Sequence, residues 1–128
     1  MSPRARQIAY WIPTALGALA MLGSAAANLS GAPEVAESIK KLGMPTYLPM
    51  ILGTWKLLGA LAILAPKLPR LKEWAYAGFT FLLTGAFISH LAAGDPVGQA
   101  LPSLVILGIL GASWALRPDS RKLEGPLV

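Results

Sequence analysis

Three long stretches of the chain contain no Asp, Glu, Lys or Arg: residues 7–33, 74–94 and 96–116. A helix of about 20 apolar residues crosses the hydrocarbon core of a membrane, which is about 30 Å thick, so each stretch is long enough to cross it. The composition agrees, because 55% of the residues are hydrophobic and 13% are charged, whereas about 25% are charged in soluble domains. The sequence predicts an integral membrane protein and excludes a soluble enzyme and a disordered tail.

The apolar pattern predicts an all-α fold, an integral membrane four-helix bundle that forms a single domain over residues 1–128. The helices are predicted at about residues 8–29, 47–65, 74–92 and 99–116. Connections rich in Gly and Pro separate them, and helices are favoured over strands because backbone groups in lipid need partners within their own segment. A short amphipathic helix is also predicted in the first outer loop, beginning at Pro33 and ending at Gly43.

Basic residues are concentrated in alternate connections, and this predicts the orientation of the chain. One side of the membrane would receive eight of them: Arg4, Arg6, Lys67, Arg70, Lys72, Arg117, Arg121 and Lys122. The first outer loop would receive Lys40 and Lys41. Because basic residues stay preferentially on the cytoplasmic side, both termini are predicted to be cytoplasmic. This distribution explains the net charge of +5 without a nucleic-acid partner.

The N-terminus allows a second interpretation. Arg4 and Arg6, an apolar run and the small residues 24–27 are also typical of a secretory signal peptide with its cleavage site. Cleavage there would leave three helices and upset the distribution of basic residues, so we expect the segment to be retained.

Lys56 lies near the middle of the second predicted helix, about 14 Å from either end at 1.5 Å per residue. A lysine at that depth costs at least ~2.5 kcal/mol, so it is expected to face the bundle interior or a water-filled cavity. The predicted membrane segments contain no carboxylate to balance it. The lysine can therefore be neutral, be paired with backbone or hydroxyl oxygens, or be a donor to the oxygen or negative charge of a ligand. The structural interpretation is a lysine that bonds helix carbonyls or extends to the interface.

Other polar residues lie at a similar depth: Ser24, Asn28, Thr84 and His90 fall with Lys56 between the membrane midplane and the outer surface. If the helix rotations bring them together, they form a half-buried polar pocket. Its predicted aromatic walls are Trp11, Tyr47, Trp55, Phe81 and Phe87. The expected ligand is mostly apolar with one or two oxygens, such as a quinone, a lipid or a sterol-like molecule. Close helix packing is the alternative explanation for Ser24 and Asn28.

Two further ionisable residues have structural explanations. His90 can form a hydrogen bond with Asp95 in the third connection. Alternatively, it can donate a hydrogen bond to a ligand or take part in a proton relay. Glu73 is expected to form an ion pair at the membrane surface with Lys72 or Arg70.

Several motifs in order resemble the DoxX-like family. They are LGTWKLLGA at 52–60, LKEWAYAG at 71–78, LTGAFISH at 83–90 and SWALRP at 113–118. The resemblance implies a small protein of the bacterial inner membrane with four membrane helices. Its motif positions are occupied here by Lys56, Glu73, Trp74, Tyr76, Thr84, Ser89 and His90. With the residues derived above, the candidate ligand-binding set is Ser24, Asn28, Trp55, Lys56, Tyr76, Thr84, Ser89 and His90.

Three functions stay open at this point. The first is binding of an apolar, oxygen-bearing molecule. The second is an accessory role in a quinone-linked oxidoreductase, since the family name comes from a subunit associated with a terminal quinol oxidase and with thiosulfate:quinone oxidoreductase. The third is membrane protein assembly, because the wider group is similar to eukaryotic four-helix proteins that act as receptor chaperones or bind sterol-like ligands. A homodimer or a membrane partner protein fits the small-residue helix faces.

The chain shows no catalytic or redox centre of its own. It contains no cysteine and one histidine, so it carries no signature of haem, an iron–sulfur cluster, a nucleotide or a metal site. The second function would therefore require the electrons to come from a partner.

Overall fold

The computed structural model describes residues 2–65 and 68–118, and within these ranges all regular structure is helical. The five helices are α1 (Pro3–Ser30), α2 (Pro33–Lys41), α3 (Leu48–Leu64), α4 (Pro69–Ala92) and α5 (Val97–Ala115). The prediction of an all-α membrane protein is confirmed, and each predicted helix has a counterpart within a few residues of its expected bounds. Lys67, Arg121 and Lys122, which contribute to the predicted orientation, lie outside the described residues.

Local sequence sets the ends of α1. The Ser2 hydroxyl accepts a hydrogen bond from the backbone N–H of Ala5 at 3.1 Å, and Pro3 occupies the first turn, where its missing N–H has no cost. At the other end, Gly31 adopts a left-handed conformation with φ of 72°, which favours glycine. The helix therefore begins before the apolar run and carries its two N-terminal arginines.

The four long helices pack in a ring. Helix α1 packs against α3 and α5, and α4 packs against the same two helices. Glycines allow the closest approaches: a Cβ atom added at Gly53 would lie 2.9 Å from the Cβ of Asn28, and one at Gly17 would lie 2.5 Å from the Cδ2 of Leu110. Small residues at these positions let helix backbones approach each other, as is usual between membrane helices.

Three helices, α1, α4 and α5, are long and apolar enough to cross a membrane. Helix α3 is apolar but has 17 residues, and its crossing stays a prediction. Large apolar side chains point outward, among them Phe81 at 75% and Leu19 at 66% exposure. A lipid environment accounts for these exposed side chains, which water would disfavour.

The molecule has two distinct ends. We call the end where α1 begins and α5 finishes the terminal end, and the end that carries α2 the α2 end. Helix α2 packs against α3, and its Ile39 is buried at 8% exposure. Lys41, its last residue, forms an ion pair with Asp95 in the α4–α5 connection. Helix α2 is thereby attached to elements on both sides of the ring.

Candidate functional site

Lys56 projects from α3 toward α1 rather than into lipid. Its Nζ donates hydrogen bonds to Ser24 Oγ at 2.7 Å and to Asn28 Oδ1 at 2.8 Å. Ser24 and Asn28 are four residues apart, so both lie on the same face of α1. We call these three residues the Lys56 cluster. The prediction that Lys56 faces the interior agrees with this geometry, and its partners are neutral oxygens of side chains.

A cavity of about 380 Å³ lies beside the Lys56 cluster, and all five helices contribute to its lining. Its polar lining residues are Ser24, Asn28, Glu34, Ser38, Lys56, His90, Gln99 and Ser103. Apolar side chains, among them Met21, Leu52 and Ile106, complete it. We call it the central cavity. It brings together Ser24, Asn28, Lys56 and His90, four residues of the candidate set.

Four polar residues of this lining were absent from the candidate set: Glu34, Ser38, Gln99 and Ser103. Gln99 and Ser103 are four residues apart near the start of α5, a spacing that puts both on one helix face. That spacing could have identified both residues from the sequence. Glu34 and Ser38 share the same spacing on α2, but only the folded position of α2 shows that they reach the cavity.

His90 connects the central cavity to the surface. Its Nδ1 lies 2.7 Å from Asp95 Oδ2, while Lys41 pairs with Asp95 Oδ1. Asp95 is buried at 8% exposure. The hydrogen bonds from Lys41 and His90 lower the pKa of the Asp95 carboxyl from its ordinary value, so it stays ionised at neutral pH. The expected His90–Asp95 bond is present, and the imidazole also lines the cavity.

A second depression lies on the outside of the ring, between α3 and α4. We call it the α3–α4 groove; its volume is about 400 Å³. Trp55 and Trp74 flank it, each 66% exposed, and Gly59, Gly78 and aliphatic side chains form much of its floor. Lys56 lines both this groove and the central cavity. The lysine therefore lies where an interior space and a lipid-facing surface meet.

Several members of the candidate set lie elsewhere. The Thr84 hydroxyl donates to the backbone carbonyls of Thr80 and Phe81, within its own helix. Tyr76 lies toward the terminal end, and Trp55 lines the α3–α4 groove but not the cavity. Ser89 is not among the described residues that line either space. The same is true of four of the expected aromatic walls: Trp11, Tyr47, Phe81 and Phe87.

Tyr76 belongs instead to a closed set of hydroxyl groups near the terminal end. Its Oη lies 2.7 Å from Ser113 Oγ, and Ser113 Oγ lies 2.5 Å from Thr14 Oγ1. Thr14 also donates to the carbonyl of Tyr10 at 2.5 Å. We call Thr14, Tyr76 and Ser113 the Ser113 cluster. It joins α1, α4 and α5, and all three residues are buried.

The expected partner of Glu73 was wrong. Glu73 forms an ion pair with Arg117 and accepts a hydrogen bond from Trp114 Nε1 at 2.9 Å. Lys72 instead donates to the carbonyls of Ala62, at 3.0 Å, and Ala65, at the end of α3. Adjacent helical residues point in different directions, so Lys72 and Glu73 face different neighbours. Sequence proximity alone suggested the wrong pair.

Comparison with protein families gives a match over most of the chain. The family model for the DoxX-like family matches residues 12–113. Neither the curated proteins nor the solved structures give a match to the chain. In the part of the chain that the structure describes, no group of His, Cys, Asp and Glu is arranged to hold a metal ion.

Proposed function

The chain belongs to the DoxX-like family of membrane proteins, and from that premise we propose that it binds an apolar, oxygen-bearing small molecule in the central cavity. The ligand class is the one that the sequence predicts, a quinone, a lipid or a sterol-like molecule. The observation that carries the proposal is the position of Lys56. Its ammonium group borders the cavity and has one N–H donor beyond the two that bond Ser24 and Asn28.

Donor counting supports this role for Lys56. A lysine ammonium group has three N–H donors. Among the described residues two acceptors are present, Ser24 Oγ and Asn28 Oδ1. These two bonds hold the side chain in one direction, and the third N–H is available to an oxygen of a ligand. A donor held in place before binding loses little conformational freedom when the ligand arrives.

The central cavity also fits a small ligand in size and lining. Pockets for small molecules commonly measure about 300–1,000 Å³ and combine apolar walls with a few polar groups; this one measures about 380 Å³. Besides Lys56, it offers the His90 imidazole and the side chains of Gln99 and Ser103 as further polar groups. Such a lining suits a molecule that is mostly apolar and has one or two oxygens.

The proposal includes a membrane arrangement. Residues 1–128 form one domain in which α1, α3, α4 and α5 all cross the bacterial inner membrane, with both termini cytoplasmic. The position of α3 between α1 and α4 in the ring supports its crossing. Because the chain contains no cysteine, single cysteines at Ser2 and Ser38 test the orientation: a membrane-impermeant maleimide should label intact spheroplasts at Ser38→Cys and leave Ser2→Cys unlabelled.

Mass spectrometry of the protein purified in mild detergent tests the binding. We expect the parent to retain a stoichiometric apolar molecule and Lys56→Met to lose it. The variant should insert and fold at least as well as the parent, because it removes a lysine that costs at least ~2.5 kcal/mol at this depth. Leu61→Met on the same helix is the matched control, since Leu61 is 51% exposed and lines neither space.

Two results would count against the proposal. One is a parent protein that carries no small molecule after gentle extraction. The other is a Lys56→Met protein that folds and keeps the parent's ligand in full amount. Loss of ligand in Leu61→Met as well would show that the assay reports general destabilisation of α3, and the comparison would then be repeated with Lys56→Gln in lipid nanodiscs.

A further inference from the structure

The α3–α4 groove has a shape and chemistry that the central cavity lacks. Its lining runs from Leu52 to Ala62 along α3, ten steps along the helix or about 15 Å at 1.5 Å per residue. Among the described residues, Lys56 is the one charged group in this lining, and the others are apolar side chains or glycine. The groove is therefore a long hydrocarbon-like channel with a single amine along it.

Lys56 also gives the groove a donor with which an anionic group can pair. Its two acceptors, Ser24 and Asn28, are uncharged, and no carboxylate among the described residues forms an ion pair with it. A cation at membrane depth is stabilised most by an opposite charge. An anionic head group that reaches the third N–H of Lys56 would supply that charge, and its tail would continue along the groove in contact with lipid.

We propose that the α3–α4 groove binds a long-chain carboxylic acid from the bilayer, with its tail along the groove and its carboxylate paired with Lys56. The acid reaches the lysine laterally, between α3 and α4, without passing through water. This inference rests on the proposed function in one respect, the use of Lys56 as a donor to a ligand, and it adds a second binding space whose ligand is a single-chain membrane amphiphile with an acidic head. The predicted length and direction of the tail distinguish it from a compact ligand held wholly in the central cavity.

Tryptophan fluorescence can test where the tail lies, because bromine atoms quench tryptophan on contact. The probe is 9,10-dibromostearic acid, titrated into the protein in nanodiscs of unbrominated lipid. The chain has four tryptophans, of which Trp55 and Trp74 line the groove while Trp11 and Trp114 do not. The double variant Trp55→Phe/Trp74→Phe keeps the groove apolar and removes its two reporters.

We expect saturable quenching in the parent protein and only the weak, linear quenching of lipid partitioning in the double variant. Lys56→Met should raise the concentration for half-quenching about tenfold or more, the effect of losing one charge-assisted hydrogen bond. The methyl ester of the same brominated acid should show a similar loss with the parent protein, because it cannot carry the negative charge.

Gly78 offers a test that leaves Lys56 in place. A Cβ added at Gly78 meets no atom within 4 Å, so Gly78→Leu starts its side chain without a clash and extends it over the groove that Gly78 lines. Gly85→Leu is the matched control: a Cβ added there also meets no atom within 4 Å, and Gly85 does not line the groove. Both variants exchange glycine for a better helix former. Only Gly78→Leu should raise the concentration of the acid for half-quenching, by about tenfold or more.

The outcomes separate this inference from the proposed function. If Gly78→Leu binds the acid like the parent, or the double variant is quenched like the parent, the tail does not occupy the groove and the inference is overturned. If the methyl ester binds as well as the acid, pairing of charges at Lys56 is overturned. In each of these cases, a ligand that co-purifies with the parent and is lost in Lys56→Met still supports binding in the central cavity. A parent protein that carries no ligand would contradict both proposals.

Discussion

The two ends of the molecule handle polar side chains in opposite ways. Toward the terminal end, the hydroxyls of the Ser113 cluster bond one another and are fully buried, with Thr14 and Ser113 at 0% exposure. Toward the α2 end, the Lys56 cluster borders a cavity of about 380 Å³. Both regions contain polar groups at membrane depth, but only the second leaves room and donor capacity beside them.

This contrast shows what distinguishes a structural polar group from a binding group inside a membrane protein. Burial and polarity do not distinguish them, since Lys72 is as buried as any of the described residues and caps the end of α3. A buried polar group that packs against its partners specifies the fold. A polar group with remaining hydrogen-bonding capacity next to an open space is suited to a ligand. The predictions below test whether this division holds.

The largest loss of stability is expected at the terminal end, on replacement of Arg117. Arg117→Met removes the ion pair with Glu73, whose side chain is 13% exposed, and a hydrogen bond of 2.6 Å to the Trp114 carbonyl. Leaving this largely buried carboxylate without its cation, with the Trp114 indole as its remaining donor among the described contacts, should lower the free energy of unfolding by about 3 kcal/mol. Unfolding by denaturant in detergent micelles measures it. The control is Arg4→Met at an exposed position; an equal loss there would contradict the prediction.

A smaller loss is expected from Ser113→Ala, which removes the hydroxyl shared by Thr14 and Tyr76. Two buried hydroxyls lose a partner, so the free energy of unfolding should fall by about 2 kcal/mol. Ser103→Ala makes the same change on the same helix, beside the central cavity, and should alter stability by less than about 0.5 kcal/mol. If the two variants lose equal stability in the same unfolding assay, the division between the two ends fails.

The smallest effect is a local response of α2 to pH. Because the pKa of Asp95 in the folded protein is lower than its ordinary 3.8, its contacts with Lys41 and His90 stabilise α2 at neutral pH. They are lost only as the pH falls below about 4. A nitroxide at Glu37→Cys, on the exposed surface of α2, should become mobile in that range in an electron paramagnetic resonance titration.

Asp95→Asn is the control for this titration. It should leave α2 mobile at neutral pH and remove the acid transition. A transition centred well above pH 4 in the parent would contradict the prediction, because it would assign the change to a group other than Asp95.

The sequence predicted the helices well for a physical reason. Crossing lipid demands long charge-free runs, and such runs are visible without knowledge of any tertiary contact. The predicted 8–29 and 74–92 correspond to the longer helices Pro3–Ser30 and Pro69–Ala92. Both observed helices begin earlier because a helix can continue beyond the apolar run into basic residues. A prediction from hydropathy ends the helix where the apolar run ends.

The candidate site could be predicted only in part, because hydropathy gives depth but not rotation about a helix axis. Lys56 and its four-residue-spaced partners on α1 have a recognisable pattern, and the structure brings them together. Thr84 lies at a suitable depth, but its hydroxyl bonds its own helix backbone. Glu34 reaches the cavity because α2 folds over the end of the ring, a position that no residue spacing encodes.

The contact between α1 and α5 determines when the protein can be completed. Thr14 and Ser113 are separated by 99 positions, and Arg6 reaches the carbonyl of Arg117 across 111 positions. The first helix therefore leaves the ribosome and enters the bilayer long before its final neighbour exists. Until the last helix is synthesised, the Thr14 hydroxyl lacks its contact with Ser113, and the carbonyl of Tyr10 in its own helix is the acceptor within reach. The hydroxyl contact between α1 and α5 can therefore form only after the chain up to Ser113 has been synthesised.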